Sequence, residues 1–299
     1  MIAHFENQVM SSLLLFIDNK VCKKGKAFTN HGSYFYNVDD QVEGFHSLAA
    51  PFKQLVVDTS LEAVGADIMT GIFLGAETDE RYPPYGTDDY PPTQTSGPYP
   101  YTINHYQGQV TFEGDHEIEN KLISGDYSVK DFNIYLTSLA EEQLLFETKF
   151  SLNPATEEAN PTGLAPDAQT YPAIFIKNNG GQNEPFAFGG ADDTIINARA
   201  IILADSTYEL DAVCGILKDT ARESLPLIEN DTLPFDARGA YTGELFNYDD
   251  FKTGLGMNIS DVFVSKVMSN RGDFTNLNPD VYSAFVDFEL RKVRTPRAS

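Results

Sequence analysis

The sequence predicts an α+β fold, mostly antiparallel β, with an N-terminal helix and one well-capped amphipathic helix packed on a sheet. Three observations predict it. Apolar residues recur at helical spacing near the start of the chain, and again after Ala204 behind a capping signal. Between and after these, runs alternating apolar and polar residues recur, separated by Pro, Gly and Asn clusters that mark loops. No repeat of 20–50 residues is evident, which argues against a solenoid. With 299 residues, 41% of them hydrophobic and 12% aromatic, the chain can bury a substantial core and is too apolar for a disordered acidic tail.

Residues 5–22 read as the first helix. Phe5, Val9, Leu13, Phe16 and Ile17 form its stripe, widened by Leu14 and Leu15. Lys20, Lys23, Lys24 and Lys26 lie near its end, where cations complement the macrodipole, and Gly25 is a natural stop. Residues 33–75 read as strands, with apolar runs at Phe52–Val57 and Ile68–Leu74. From 102 the strand pattern resumes: Val110 and Phe112, then Phe132, Ile134 and Leu136, then Leu144, Phe146, Thr148 and Phe150. Thr137–Gln143 is placed to close an antiparallel hairpin between the last two. Residues 153–170, with Pro154, Pro161 and Pro166, read as an extended loop. Ala173–Lys177 reads as a short strand, followed by turns at Asn178–Asn183 and Gly189–Gly190.

Ala198–Ala204 is a β-rich run leading into the clearest local unit. Ser206 as N-cap with Glu209 three residues on is a capping box. Leu210, Val213, Cys214, Leu217 and Ala221 then fall on one face, Lys218 and Arg222 occupy the last turns, and Pro226 is the expected stop. Residues 228–258 read as loop. Val262–Val267 and Tyr282–Leu290 read as late strands, the second with Tyr282, Ala284, Val286, Phe288 and Leu290 on one face, before a basic tail at Arg291, Lys292, Arg294 and Arg297.

The organisation expected is a single structural unit over 1–299, its core drawn from 1–75 and 102–299, interrupted by a Pro/Tyr-rich insertion at 76–101. Proline supplies no ladder donors, so the insertion reads as a long exposed loop. It carries Tyr82, Tyr85, Tyr90, Tyr99 and Tyr101. Tyrosine offers large, rigid contact area, so these five are the candidate interface residues; a plain flexible insertion is the competing reading.

The formal charge of −23 works against a stable grip on nucleic acid or on an anionic membrane surface. The N-terminus lacks a basic n-region, and no stretch approaches the length of a membrane span, so a soluble product of a cytoplasm is expected. Cys22 and Cys214 read as buried free thiols in a reducing compartment, neither a disulfide framework nor a zinc site. Asp115, Glu117 and Glu119 would share one strand face with His116 between them. A solvated, charge-protected edge explains them better than a cation site. The pairs Asp39–Asp40, Asp88–Asp89, Asp192–Asp193 and Asp249–Asp250 read as turn residues. His4, His31, His46, His105 and His116 form neither HExxH nor HxH, and no nucleophile elbow, P-loop or dinucleotide fingerprint is present. Arg271-Gly272-Asp273 is a common turn tripeptide. Asn230 and Asn258 begin glycosylation patterns that matter only on secretion. The residues therefore point to no cofactor, no metal and no enzyme.

Several segments together are familiar: Phe52-Lys53-Gln54-Leu55, Tyr127 to Tyr135, Glu184-Pro185-Phe186-Ala187-Phe188-Gly189-Gly190, Ala204-Asp205-Ser206 with Leu210-Asp211-Ala212-Val213, and Asn278 to Phe285. The chain resembles virion structural proteins of tailed bacteriophages over most of its length. The strand–turn–helix at 198–223 is similar to the core unit of phage tail terminator and neck proteins, which form rings at the head–tail joint. The resemblance implies a non-enzymatic, oligomeric neck or tail ring subunit. Its partners would be copies of itself and neighbouring virion proteins, and its location the virion, after synthesis in the bacterial host cytoplasm. A strongly negative channel would let DNA pass without adhering. A baseplate or tube-associated virion protein, and a carbohydrate-recognition module using the tyrosine loop, are the alternatives.

Overall fold

The computed structural model describes residues 5–37, 44–50, 54–69, 72–76, 88–90, 101–105, 108–113, 121–141, 144–145, 171–186, 190–235, 244–253, 256–267 and 281–294. Helix α1 spans Phe5–Gly25 and helix α2 Thr207–Lys218. The strands are β1 (Phe28–Tyr34), β2 (Tyr36–Asn37), β3 (Phe45–Ala49), β4 (Ile72–Ala76), β5 (Asp88–Tyr90), β6 (Tyr101–Asn104), β7 (Gln109–Glu113), β8 (Lys121–Lys130), β9 (Asn133–Leu136), β10 (Ala173–Pro185), β11 (Asp192–Ala204), β12 (Ser224–Leu225), β13 (Met257–Val267) and β14 (Tyr282–Arg294). Short 3₁₀ helices lie at Thr59–Val64 and Tyr248–Thr253. The fold class is α+β, as the sequence predicts.

The strands form three sheets, ordered β1-β8-β4-β5, β2-β3-β7-β6 and β12-β13-β14-β11-β10-β9. All pairings are antiparallel except β9 with β10, which is parallel. The two four-stranded sheets are built entirely from residues 28–130 and share one core, in which Phe35, Leu48, Leu55, Ile72, Tyr101, Val110, Phe112, Ile123, Tyr127 and Val129 meet. The six-stranded sheet takes the rest of the chain. Its inner face presents Ile174, Ile176, Ile196, Ala198, Ala200, Ile202, Val286, Phe288 and Leu290 to both helices. The β unit 28–130 is therefore inserted between α1 and β9, two elements that pack against each other. That division differs from the one expected, in which only 76–101 interrupts the core.

Helix α1 is longer than its apolar stripe suggests and is buried on every side through its middle, Ser11, Ser12, Asp18 and Asn19 included. A helix covered all round must satisfy its polar side chains internally. Ser12 Oγ accepts from the Ile228 amide at 3.1 Å, and Asn19 donates to Asp58 at 2.7 Å. The lysines at its end are ion-paired rather than merely solvated: Lys20 and Lys24 meet Glu223 and Lys23 meets Asp249.

Helix α2 begins as expected, with Ser206 accepting from the Glu209 amide at 3.2 Å, and buries Leu210, Val213, Cys214 and Leu217. It stops earlier than expected. Asp219 is the C-cap, Ala221 is exposed beyond the helix, and Arg222 turns the chain with φ of 69° well before Pro226.

Other departures share a cause in long-range pairing. Leu55–Val57 is not a regular strand; Leu55 makes one bridge to Val129, and a 3₁₀ helix follows. Among the described residues, no hairpin joins 132–136 to 144–145. Strand β9 instead pairs in parallel with β10, Leu144 sits in a helical turn with its amide on the Ala140 carbonyl, and 146–150 lie outside the described residues. Asn178–Asn183 is not a turn either. Strand β10 runs through it on a bulge, with Gly180 at φ of 83°, and the reversal comes at Phe186–Ala191. Asp88–Asp89 and Asp192–Asp193 lie in strands and Asp249–Asp250 in a 3₁₀ helix, not in turns. Late strands β13 and β14 start or extend beyond the predicted runs, taking Arg291, Lys292 and Arg294 into the sheet, and Tyr282 is exposed at its rim.

Candidate interaction surface

The side chains that carry charge inside the molecule converge on the middle of α1. Lys130, at the end of β8, and Asp18 form an ion pair of 2.7 Å, and both are almost completely buried. Burial pushes the Asp18 carboxyl up, and the Lys130 charge and hydrogen bond only partly offset this. Next to it, Asp58 accepts from the amides of Ser60 and Tyr248, each at 2.9 Å, and from Asn19. One carboxylate thus caps one 3₁₀ helix, begins the other, and holds α1. The arrangement fastens three chain segments together; it presents no side chain to solvent. Cys22 lies beside it, and burial raises its thiol well above the ordinary range. Cys214 is also buried and free, pushed up to about 11 by desolvation. Both are as expected of structural thiols.

At the start of α2, Glu209 is pushed up to about 7 by burial first and then by the hydrogen bond and charge of Asp205. Ser206 thus caps the Glu209 amide, while the Glu209 carboxyl crowds a second acid. Among the described residues, no group of three or more His, Cys, Asp or Glu is arranged to hold a metal ion. The acidic stretch 115–119, the 153–170 loop and Arg271-Gly272-Asp273 lie outside the described residues. No helix among those described is long and apolar enough to cross a membrane.

The tyrosines of the 76–101 segment do not form a set. Tyr101 opens β6, is 1% exposed, and packs its ring 5.7 Å from that of Phe112. It is a core residue, because the segment ends by entering the sheet, and the interface reading is corrected there. Tyr90 lies in β5, whose backbone pairs with β4, so the insertion is not wholly loop. Tyr82, Tyr85 and Tyr99 lie outside the described residues.

Among the described residues, the two most exposed phenylalanines lie on or beside the six-stranded sheet. On its outer face Arg199 makes two bonds to Asp287, at 2.6 and 2.9 Å, and a third to Glu141 at 2.7 Å, while its guanidinium lies 5.0 Å from the Phe285 ring. This ties down Glu141 near Leu144, which packs with Phe175, Ile201 and Leu203. Past the bulge β10 is exposed along Gly181–Pro185, beside a β11 that stays buried at Thr194–Ile196 and paired with β14, and Phe186 just after β10 is 60% exposed. On the opposite flank Phe263 of β13 is 62% exposed. Sequence reasoning missed both. Phe186 sits in a turn context, and Phe263 alternates with Val262 and Val264, so only knowing which neighbour the strand lacks reveals its exposure. Compared with protein-family models and with curated proteins, the chain matches none.

Proposed function

We propose that the chain is a non-enzymatic structural subunit of a tailed-phage virion, forming an oligomeric ring at the neck or tail. The observation that supports this reading is the β10–β11 hairpin. Its proximal half is core, through Ile174, Ile176, Ala200 and Ile202, while distal β10, Gly181–Pro185, forms an exposed edge beside buried β11 and leads to an exposed phenylalanine. An exposed strand edge ending in an apolar side chain suits a head-to-tail contact, in which this edge of one subunit lies on a different patch of the next, and such contacts close into rings. The excess of acidic residues supports a wall along which DNA can slide. Partners on this reading are further copies and neighbouring virion proteins, and the place is the assembled particle.

The test is to fit the chain into an electron-microscopy density map of an intact tailed particle. Copies should surround the particle axis, with Phe186 against the adjacent subunit. Mass spectrometry of purified particles that finds the protein absent would overturn the reading.

A further inference from the structure

We infer that two copies of this chain pair edge to edge through β13, antiparallel, about a two-fold axis passing at Phe263. The inference rests on that edge alone and stands apart from the virion reading.

Among the described residues, strand β13 is covered on its outward side at its start alone. Strand β12 pairs with Met257 and Asn258, and the backbone of Arg222 and Glu223 bonds Ile259. From Ser260 to Val267 no strand among the described residues lies on that side. An open edge is a template for another strand, and proteins usually blunt it with proline, an exposed lysine or a cover. Residues 260–267 contain no proline. Their one cation, Lys266, is engaged by Asp211 of α2. On the outer face Phe263 stands in solvent, flanked by Asp261 and Ser265. On the inner face Val262 and Val264 pack partly against the main core.

The segment is complementary to itself. Antiparallel pairing centred on Phe263 sets the two Phe263 rings opposite each other, Val262 opposite Val264, Asp261 opposite Ser265, and Ser260 opposite Lys266. From Asp261 to Ser265 it keeps every residue on its own face, as the two-residue period requires, while Ser260 stands on a bulge of β13 with its hydroxyl on Glu289. Aromatic and β-branched cross-strand pairs are the stabilising ones, and this register places no like charges opposite. Centring on Val264 would face Phe263 with Ser265 and Val262 with Lys266; centring on Val262 would face Phe263 with Asp261. Both lose the aromatic pair.

The helix beneath leaves room for a second copy. The Asp211–Lys266 pair puts one side of α2 at this edge. One turn on, Gly215 has nothing within 4 Å of where a Cβ would stand, and Tyr208 is 84% exposed. A two-fold axis normal to the sheet would bring the two α2 helices to the same side. The charge of −23 opposes any self-association, whereas the edge itself carries one Asp and one Lys. Pairing should therefore strengthen with salt, as repulsion beyond ~8–10 Å is screened.

The experiment is sedimentation of the full chain over a range of concentration and salt, with cysteine cross-linking. The wild type should dimerise, more tightly at 0.5 M than at 0.05 M NaCl. Phe263→Cys should form a disulfide-linked dimer under mild oxidation, Cys22 and Cys214 being buried. Asp261→Cys should link to Ser265→Cys in a mixture and poorly to itself. Phe263→Asp, with its fold checked by circular dichroism, should raise the dimer dissociation constant about tenfold by setting like charges opposite. In the wild type, amides 260–267 should exchange more slowly at high than at low concentration. A protein that stays monomeric throughout, or a dimer in which Phe263→Cys does not link to itself and these amides gain no protection, would overturn the inference.

Discussion

Lys130 donates a 2.7 Å hydrogen bond to Asp18 across 112 residues of sequence, joining the last residue of the inserted β unit to the buried centre of the N-terminal helix. Truncating one member leaves the other buried without its counterion. Lys130→Ala should therefore destabilise by about 3–5 kcal/mol, read from urea unfolding. Replacing both, as Asp18→Leu with Lys130→Met, should restore most of that loss, because a buried ion pair owes its strength largely to the harm of breaking it. If the double variant is as unstable as the single one, packing rather than charge governs the site.

Asp58 should be as sensitive, for a different reason. It accepts from two backbone amides and one side-chain amide. Asp58→Ala leaves those donors buried, at a cost of about 2–4 kcal/mol. Asp58→Asn keeps an acceptor and should lose less than half as much. Thermal unfolding of the three proteins side by side makes the comparison.

Leu217 and Tyr101 test the two cores separately. Leu217 is fully buried against the six-stranded sheet, and Leu217→Ala should cost about 2–5 kcal/mol. Tyr101→Ala should cost about 3–5 kcal/mol through the other core. An interface tyrosine on an exposed loop would lose under about 0.5 kcal/mol, so the unfolding midpoint of Tyr101→Ala discriminates directly.

Glu209 gives a pH dependence of definite sign. Its carboxyl is raised from 4.5 to about 7 by burial and by Asp205, so the folded chain holds this proton more tightly than the unfolded chain. Its contribution is fully present below pH ~4.5 and is lost as pH rises through about 7. Glu209→Gln should flatten the fall in melting temperature between pH 5 and 8. A difference curve with the opposite slope would show that the carboxyl is not held protonated.

Helix α2 was legible because its signals are local: a capping serine, an i, i+3, i+4 stripe and a lysine within reach of one another. The same holds for the alternating faces of β7 and β14. What escaped the sequence depends on partners far along the chain. Asn178–Asn183 has turn composition, and Asn178 does accept from the Gly180 amide at 2.8 Å, but β11 supplies a ladder that carries the strand through the kink. The parallel pairing of β9 needs β10, on the far side of 137–172. Asp18 and Asn19 look like surface positions on a helical wheel until Lys130 and Asp58 are known to meet them. Tyr101 resembles its neighbouring tyrosines in context; it differs in being the residue that starts β6. For the candidate surface, the alternation in Phe263 and the glycines beyond Phe186 marked strand and turn, but exposure followed from sheet order, which composition does not encode.

The insertion of residues 28–130 between α1 and β9 has a consequence during synthesis. The surfaces that bury α1 are supplied in good part by β9, β10, α2 and β12, the last of them roughly 200 residues behind it. At ~5–20 residues per second, the ribosome needs tens of seconds to deliver them. Over that interval Leu13, Leu14, Leu15, Phe16 and Ile17 have no sheet to lie on, while the β unit that follows can already fold with its own core. The nascent chain thus carries a sticky helix beside a finished module, and a holdase binding that helix would raise the yield of native protein.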